Sequence, residues 1–123
     1  MYLPEVSRAK PDDRLRALST LALAFSSDPL LRWMFPSSDS YFENIIETFD
    51  VFAGHSIDGD TCLITSAFEG VAMWLAPGAE TDEDAIGETF AKIFSPQFLP
   101  KVSEILETME SYHPHDDNCW YLP

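Results

Sequence analysis

The order of elements along the chain, β-α-α-β-β-α-α-β, predicts an α/β or α+β fold. Three observations carry the prediction. Apolar residues recur at helical spacing behind helix-start signals, both before and after the middle of the chain. Two short apolar runs on either side of Phe68-Glu69-Gly70 read as a hairpin. An aromatic run, Trp120-Tyr121-Leu122, reads as the opening of a buried strand.

The elements follow in order. Tyr2 to Ser7 reads as a short first strand. Pro11-Asp12-Asp13 opens a helix, because proline suits the first turn and the acids suit the positive end of the helix dipole. Its apolar face is expected at Leu15, Leu18, Ala22 and Phe25. Ser26-Ser27-Asp28-Pro29 breaks that helix, and Asp28 is placed to cap a short turn carrying Leu30, Leu31, Trp33 and Met34. Ser40-Tyr41-Phe42-Glu43 has the form of a capping box. The helix behind it shows Tyr41, Phe42, Ile45, Ile46, Phe49, Phe52 and Ala53, with Gly54 as its stop. Ile57-Asp58-Gly59-Asp60 is a turn, followed by strands at 62–65 and 71–75. Thr81-Asp82-Glu83-Asp84 starts a helix that buries Ala85, Ile86, Phe90, Ile93 and Phe94. A last helix begins near Pro100, with Val102, Ile105, Leu106, Met109 and Tyr112 inward, and His113-Pro114 ends it.

Composition narrows the function classes. The 123 residues suit one domain or part of one, and 46% apolar content is globular rather than disordered. No run approaches ~18 consecutive apolar residues, and no basic-then-apolar leader opens the chain. Cys62 and Cys119 sit in apolar, strand-like runs and read as two reduced core thiols, which makes the cytoplasm the expected compartment. The net charge of −14 is unevenly placed. Residues 1–35 hold five basic side chains against four acids, whereas residues 36–123 hold two against seventeen. Such a surface repels nucleic acid and anionic lipid and is more compatible with a cationic small molecule; acids on solvated helix faces are the simpler account.

Few motifs carry chemistry. The five glycines, at 54, 59, 70, 78 and 87, form no phosphate-binding loop. His113, His115, Asp116, Asp117 and Cys119 cluster, but no second ligand pair at zinc-site spacing accompanies them, so no metal site is assigned and a loop entering a strand is the simpler reading. His55 stands alone at a helix end, and no G-x-S-x-G elbow is present. Trp33, Met34, Phe35 and Trp74 are either core packing, the preferred reading, or the lining of an aromatic pocket beside Asp28 that would suit an amine.

Four segments in register resemble GNAT-type N-acetyltransferases: residues 8–13, residues 24–36, Gly70-Val71-Ala72-Met73-Trp74-Leu75-Ala76-Pro77-Gly78, and His113-Pro114 followed by Trp120-Tyr121-Leu122. The resemblance covers nearly the whole chain. It implies a mixed, mostly antiparallel sheet with flanking helices. It also implies transfer of acetyl from acetyl-CoA to an amine, with a base to take a proton and donors to steady the oxyanion. In the family the coenzyme pyrophosphate is held by a Q/R-x-x-G-x-G/A loop after the fourth strand, and no position here matches that loop. Residues 1–123 are therefore expected to form a single partial domain of this type, ending inside its fourth strand. No coenzyme-binding residue is assigned. On the acceptor side the resemblance points to Asp28, Trp33, Phe35, Trp120 and Tyr121 as substrate-binding residues.

Three functions compete. The first is a shortened acetyltransferase, inactive alone. The second is one half of a split enzyme, completed by a second polypeptide through strand addition. The third is a non-enzymatic interaction module that uses the Trp120-Tyr121 strand edge. The exposed edge also predicts self-association.

Overall fold

The computed structural model describes residues 1–115 and 118–123. Strand β1 (Val6–Arg8) leads through a single 3-10 turn, Pro11–Asp13, into helix α1 (Arg14–Ala24). The Asp13 carboxylate accepts from the Lys10 N–H at 2.9 Å, and Pro11 stands where a helix has no use for an N–H. Asp28 caps α2 (Pro29–Met34) as expected, its Oδ1 accepting from the Leu31 N–H at 3.0 Å. The next helix, α3 (Ser38–Ala53), starts earlier than the Ser40 capping box predicts. Ser37 takes the cap instead, accepting from the Ser40 N–H at 3.1 Å. Ser37 is the first residue after Pro36 with a side chain able to cap, and starting there adds a turn of backbone hydrogen bonds.

Gly54 is the C-cap of α3, where the sequence places the stop. It keeps helical angles and passes into α4 (His55–Asp58). The turn comes at Gly59 and Asp60, where Asp60 adopts φ 59°. Strands β2 (Cys62–Thr65) and β3 (Val71–Met73) then form the expected hairpin, with Cys62 opposite Met73, Leu63 opposite Ala72 and Ile64 opposite Val71. The reversal is fixed by the Thr65 hydroxyl, which donates to Glu69 Oε2 at 2.6 Å and accepts from the Gly70 N–H at 2.9 Å. Helix α5 (Glu83–Ile93) is capped by Asp82, whose Oδ1 accepts from the Ala85 N–H at 3.0 Å, and α6 (Leu99–Ser111) follows.

The result is an α+β fold with six helices and one three-stranded antiparallel sheet, ordered β1-β2-β3, among the described residues. The fourth strand is reduced to one antiparallel pair, Leu75 with Tyr121. Trp120 is 56% exposed rather than buried, because only its neighbour Tyr121 is held by the sheet. Cys119, expected in the core, is exposed for the same reason, while Cys62 is fully buried. No helix among the described residues is long and apolar enough to cross a membrane.

The core has two parts. Ala17 and Leu18 of α1, Ala53 at the end of α3 and Ile57 of α4 meet the sheet residues Cys62, Ile64 and Met73. On the far side of α3, Tyr41 and Ile45 join Met34, Phe35, Phe90, Phe94 and Val102 in a helix-only cluster. The period-3.6 faces are narrower than the apolar pattern predicts. Leu15 is 67% and Phe42 72% exposed, since each lies off the arc that faces the core. Phe25 is left partly open where α1 ends, its ring tilted against Phe49 with centroids 5.6 Å apart. Ile105, Met109 and Tyr112 are also exposed: only the first half of α6 packs on the helix cluster, through Val102 and Leu106.

Candidate functional site

An acidic cleft of about 920 Å³ opens at the edge of the sheet beyond β3. Leu75, buried, forms part of its wall. The loop from Ala76 to Thr81 and the start of α5 bring Glu80, Asp82, Glu83 and Asp84, and the end of α6 brings Glu110. Asp82, Glu83 and Asp84 gather there because a helix N-terminus favours carboxylates through its dipole and its free N–H groups. No Lys or Arg lines the cleft among the described residues; His113 and His115 are its basic groups. Its volume falls in the range of small-molecule sites, and five carboxylates on one concave surface concentrate cations.

The aromatic side of the cleft is Trp120 and Tyr121. Tyr121 is fixed by three contacts. Its backbone exchanges both hydrogen bonds with Leu75, at 2.7 and 3.0 Å. Its hydroxyl lies 3.2 Å from His113 Nε2, and the two rings sit 4.8 Å apart between centroids. His113 Nδ1 in turn lies 2.7 Å from Glu110 Oε2. A carboxylate, an imidazole and a phenol thus run in line from α6 to the sheet edge. With Nδ1–H donating to Glu110, Nε2 is left to accept from the Tyr121 hydroxyl. Burial, with Glu110 nearby, pushes the Tyr121 phenol above its ordinary pKa. Tyr121 therefore enters this chain as a neutral proton donor.

The five residues expected on the acceptor side are not brought together. Trp120 and Tyr121 line the cleft, whereas Asp28, Trp33 and Phe35 belong to the helix layer and do not line it. Asp28 spends its carboxylate on the α2 cap. Trp33, 40% exposed, packs on Phe98 with ring centroids 5.0 Å apart. Phe35 is 1% exposed and stacks on Phe94 at 5.4 Å. Trp74 lies elsewhere again, on the sheet, so the four aromatic and sulfur side chains 33–35 and 74 form no common pocket. The core reading of Met34 and Phe35 is the one the packing supports.

Sequence reasoning missed the Glu110–His113–Tyr121 line. The i,i+3 spacing of Glu110 and His113 at a helix end was the available signal, but the contact to Tyr121 depends on the tertiary fold. Of the residues grouped as possible metal ligands, Asp116 and Asp117 lie outside the described residues. Among the described residues no group of three or more His, Cys, Asp or Glu is placed to hold a metal ion. Acetyl-CoA does not fit the cleft either. Its pyrophosphate needs converging N–H groups or cationic side chains, and here it would face five carboxylates. The chain matches no family model, and no curated protein matches it.

Proposed function

We propose that the cleft binds a cationic amine and that the chain supplies the acceptor side of a GNAT-type N-acetyltransferase. The observation that carries the reading is the convergence of Glu80, Asp82, Glu83, Asp84 and Glu110 with Trp120 and Tyr121 around one cavity. Carboxylates draw the ammonium in, and the aromatic faces hold it by cation–π attraction. Acyl transfer to an amine requires the nitrogen to lose a proton; the Tyr121 hydroxyl oxygen can take it while passing its own proton to His113 Nε2, and the Glu110 carboxylate on Nδ1 balances the charge that forms. No residue of this chain is assigned to acetyl-CoA. A cytoplasmic location goes with the reading, in keeping with two unbridged thiols, Cys62 and Cys119.

The test is a titration of the protein with spermidine, followed by backbone amide shifts. Saturable shifts at Glu83, Glu110 and Tyr121 that weaken with added salt are expected. Shifts that never saturate, or that fall outside the cleft, overturn amine binding there. Loss of thioester from acetyl-CoA with this chain alone would overturn the restriction to the acceptor side.

A second reading rests on the sheet edge. The single Leu75–Tyr121 pair leaves Trp120 and Leu122 exposed beside it, and such an edge suits strand addition by a second copy or a complementing chain. A mass that rises with concentration in sedimentation, and falls back in Trp120→Asp, is the expected result. A monomer at all concentrations removes this reading.

A further inference from the structure

A second cavity, of about 340 Å³, shares Trp120 with the acidic cleft and none of its other lining residues. It is lined by Arg8, Asp60, Thr61, Leu63, Trp74 and Trp120. Leu63 alternates along β2 with the buried Cys62 and Ile64, so the cavity opens on the sheet face turned away from α1 and α3. Its walls are apolar and aromatic, through Leu63 and two tryptophans. Trp74 is anchored: the Thr61 hydroxyl donates to the Trp74 carbonyl oxygen, which fixes the backbone behind the indole. Trp120, 56% exposed and itself without a ladder bond, forms the adjustable wall.

The rim carries one charge of each sign. Arg8 Nη1 donates to Asp60 Oδ2 at 3.0 Å, and both side chains are about two-thirds exposed, at 68% and 66%. A pair so open to water contributes little and separates at little cost. Four of the five guanidinium N–H donors take no part in that bond, as does the second Asp60 oxygen. A ligand with an aromatic body and adjacent carboxylate and ammonium groups matches this arrangement point for point. Its ring fills the space between Leu63, Trp74 and Trp120. Its carboxylate meets Arg8 in a charge-assisted contact, and its ammonium meets Asp60. The volume, at the lower end of small-molecule sites, suits one or two rings. We infer that this cavity is a binding site for a free aromatic amino acid, held as the zwitterion by Arg8 and Asp60.

The test titrates the folded chain with four probes: L-phenylalanine, phenethylamine, 3-phenylpropionate and L-alanine. Tryptophan fluorescence and the amide and indole signals of Leu63, Trp74 and Trp120 are followed. Phenylalanine is expected to give a saturable response. Loss of either charge should weaken it about tenfold, the worth of one hydrogen bond to a charged group, and alanine should give no response. Arg8→Gln is expected to remove the advantage of phenylalanine over phenethylamine, since it takes away the carboxylate's partner and leaves Asp60 to the ammonium of both. Asp60→Asn, a residue that accepts the left-handed backbone at that position, should do the same relative to 3-phenylpropionate. Equal affinity for the three aromatic probes overturns the zwitterion, and absence of any saturable change at Leu63 and Trp74 overturns the site. Spermidine is followed at Glu83 and Glu110 and phenylalanine at Leu63 and Trp74, none of which is shared between the two cavities, so each site can fail without the other.

Discussion

Arg14 donates from Nε to Asp50 Oδ1 at 3.0 Å across the contact between α1 and α3, and its Nη1 reaches Asp58 Oδ1 at 3.3 Å. The pair is possible because residue 54 has no side chain. A Cβ built on Gly54 would sit 2.0 Å from Asp50 Oδ1, 2.8 Å from an Arg14 guanidinium nitrogen and 2.6 Å from the Asp50 carbonyl oxygen. The charged ends can swing away, but the backbone oxygen cannot. Gly54→Ala is therefore expected to cost ~1–3 kcal/mol, the usual range for overpacking. Arg14→Met removes two partly exposed ion pairs and should cost about 1 kcal/mol or less. Urea unfolding of both variants checks the order, and a Gly54→Ala chain as stable as the parent would count against the close approach.

Tyr41 closes the end of α1. Its hydroxyl donates to the Ala22 carbonyl oxygen at 2.5 Å, from a side chain with 1% exposure. Ala22 lies in the last turn of α1, where a carbonyl loses its helical N–H partner; the Ser26 N–H goes to Leu23 instead. Tyr41→Phe keeps the ring and strands that oxygen. A loss of ~1–3 kcal/mol is expected, the cost of leaving a buried acceptor unpaired. Tyr41→Phe at full stability in thermal and urea unfolding would show that water replaces the phenol.

Alkaline pH should unfold the chain earlier than its acids and bases in bulk would suggest. Burial raises the pKa of Tyr41, of Cys62 and of Tyr121. The folded state therefore holds these protons more tightly than the unfolded chain does. Their stabilisation is complete below the unfolded values, about 8.5 for the thiol and about 10 for the phenols, and is lost as pH rises through the folded ones. Stability is expected to fall from roughly pH 9 upward. Cys62→Ala and Tyr121→Phe should each flatten that fall, measured as urea midpoints from pH 8 to 11.

Caps and turns were the most legible part of the sequence. Asp28 and Asp82 start helices where their side chains predict, and the Phe68-Glu69-Gly70 reversal holds the hairpin. These signals are local, set within three residues. Burial was harder to read, because three buried side chains among the described residues are polar. Thr48 and Ser56 each bond a carbonyl of their own chain segment, Asn44 and Ala53, at 2.8 Å, and so enter the core with their hydroxyls satisfied. A search for apolar periodicity passes over them, and over Thr89. The candidate cleft was half legible. Its acids and Trp120-Tyr121 stand in the sequence, but their meeting depends on Leu75 pairing with a residue 46 positions on.

The five residues first expected to bind acceptor divide by what they touch, and the division predicts opposite outcomes. Phe35→Ala opens a hole against Phe94 in the helix cluster and should cost ~3–5 kcal/mol of stability. Asp28→Ala removes the α2 cap and should cost about 1 kcal/mol. Neither lies on the cleft, so spermidine affinity per folded molecule should stay as it is. Trp120→Ala removes an exposed ring and should change stability within about 0.5 kcal/mol, the range of surface substitutions. Tyr121→Ala also loses the His113 contact, so the Glu110–His113 pair no longer ends on the sheet edge. Both changes should lower spermidine affinity several-fold, since each removes an aromatic wall worth ~0.5–2 kcal/mol to a bound cation. Urea midpoints and amide-shift titrations on the four variants separate the groups. Should Phe35→Ala or Asp28→Ala weaken the amine while Trp120→Ala and Tyr121→Ala leave it unchanged, the acceptor site belongs to the helix layer and not to the cleft.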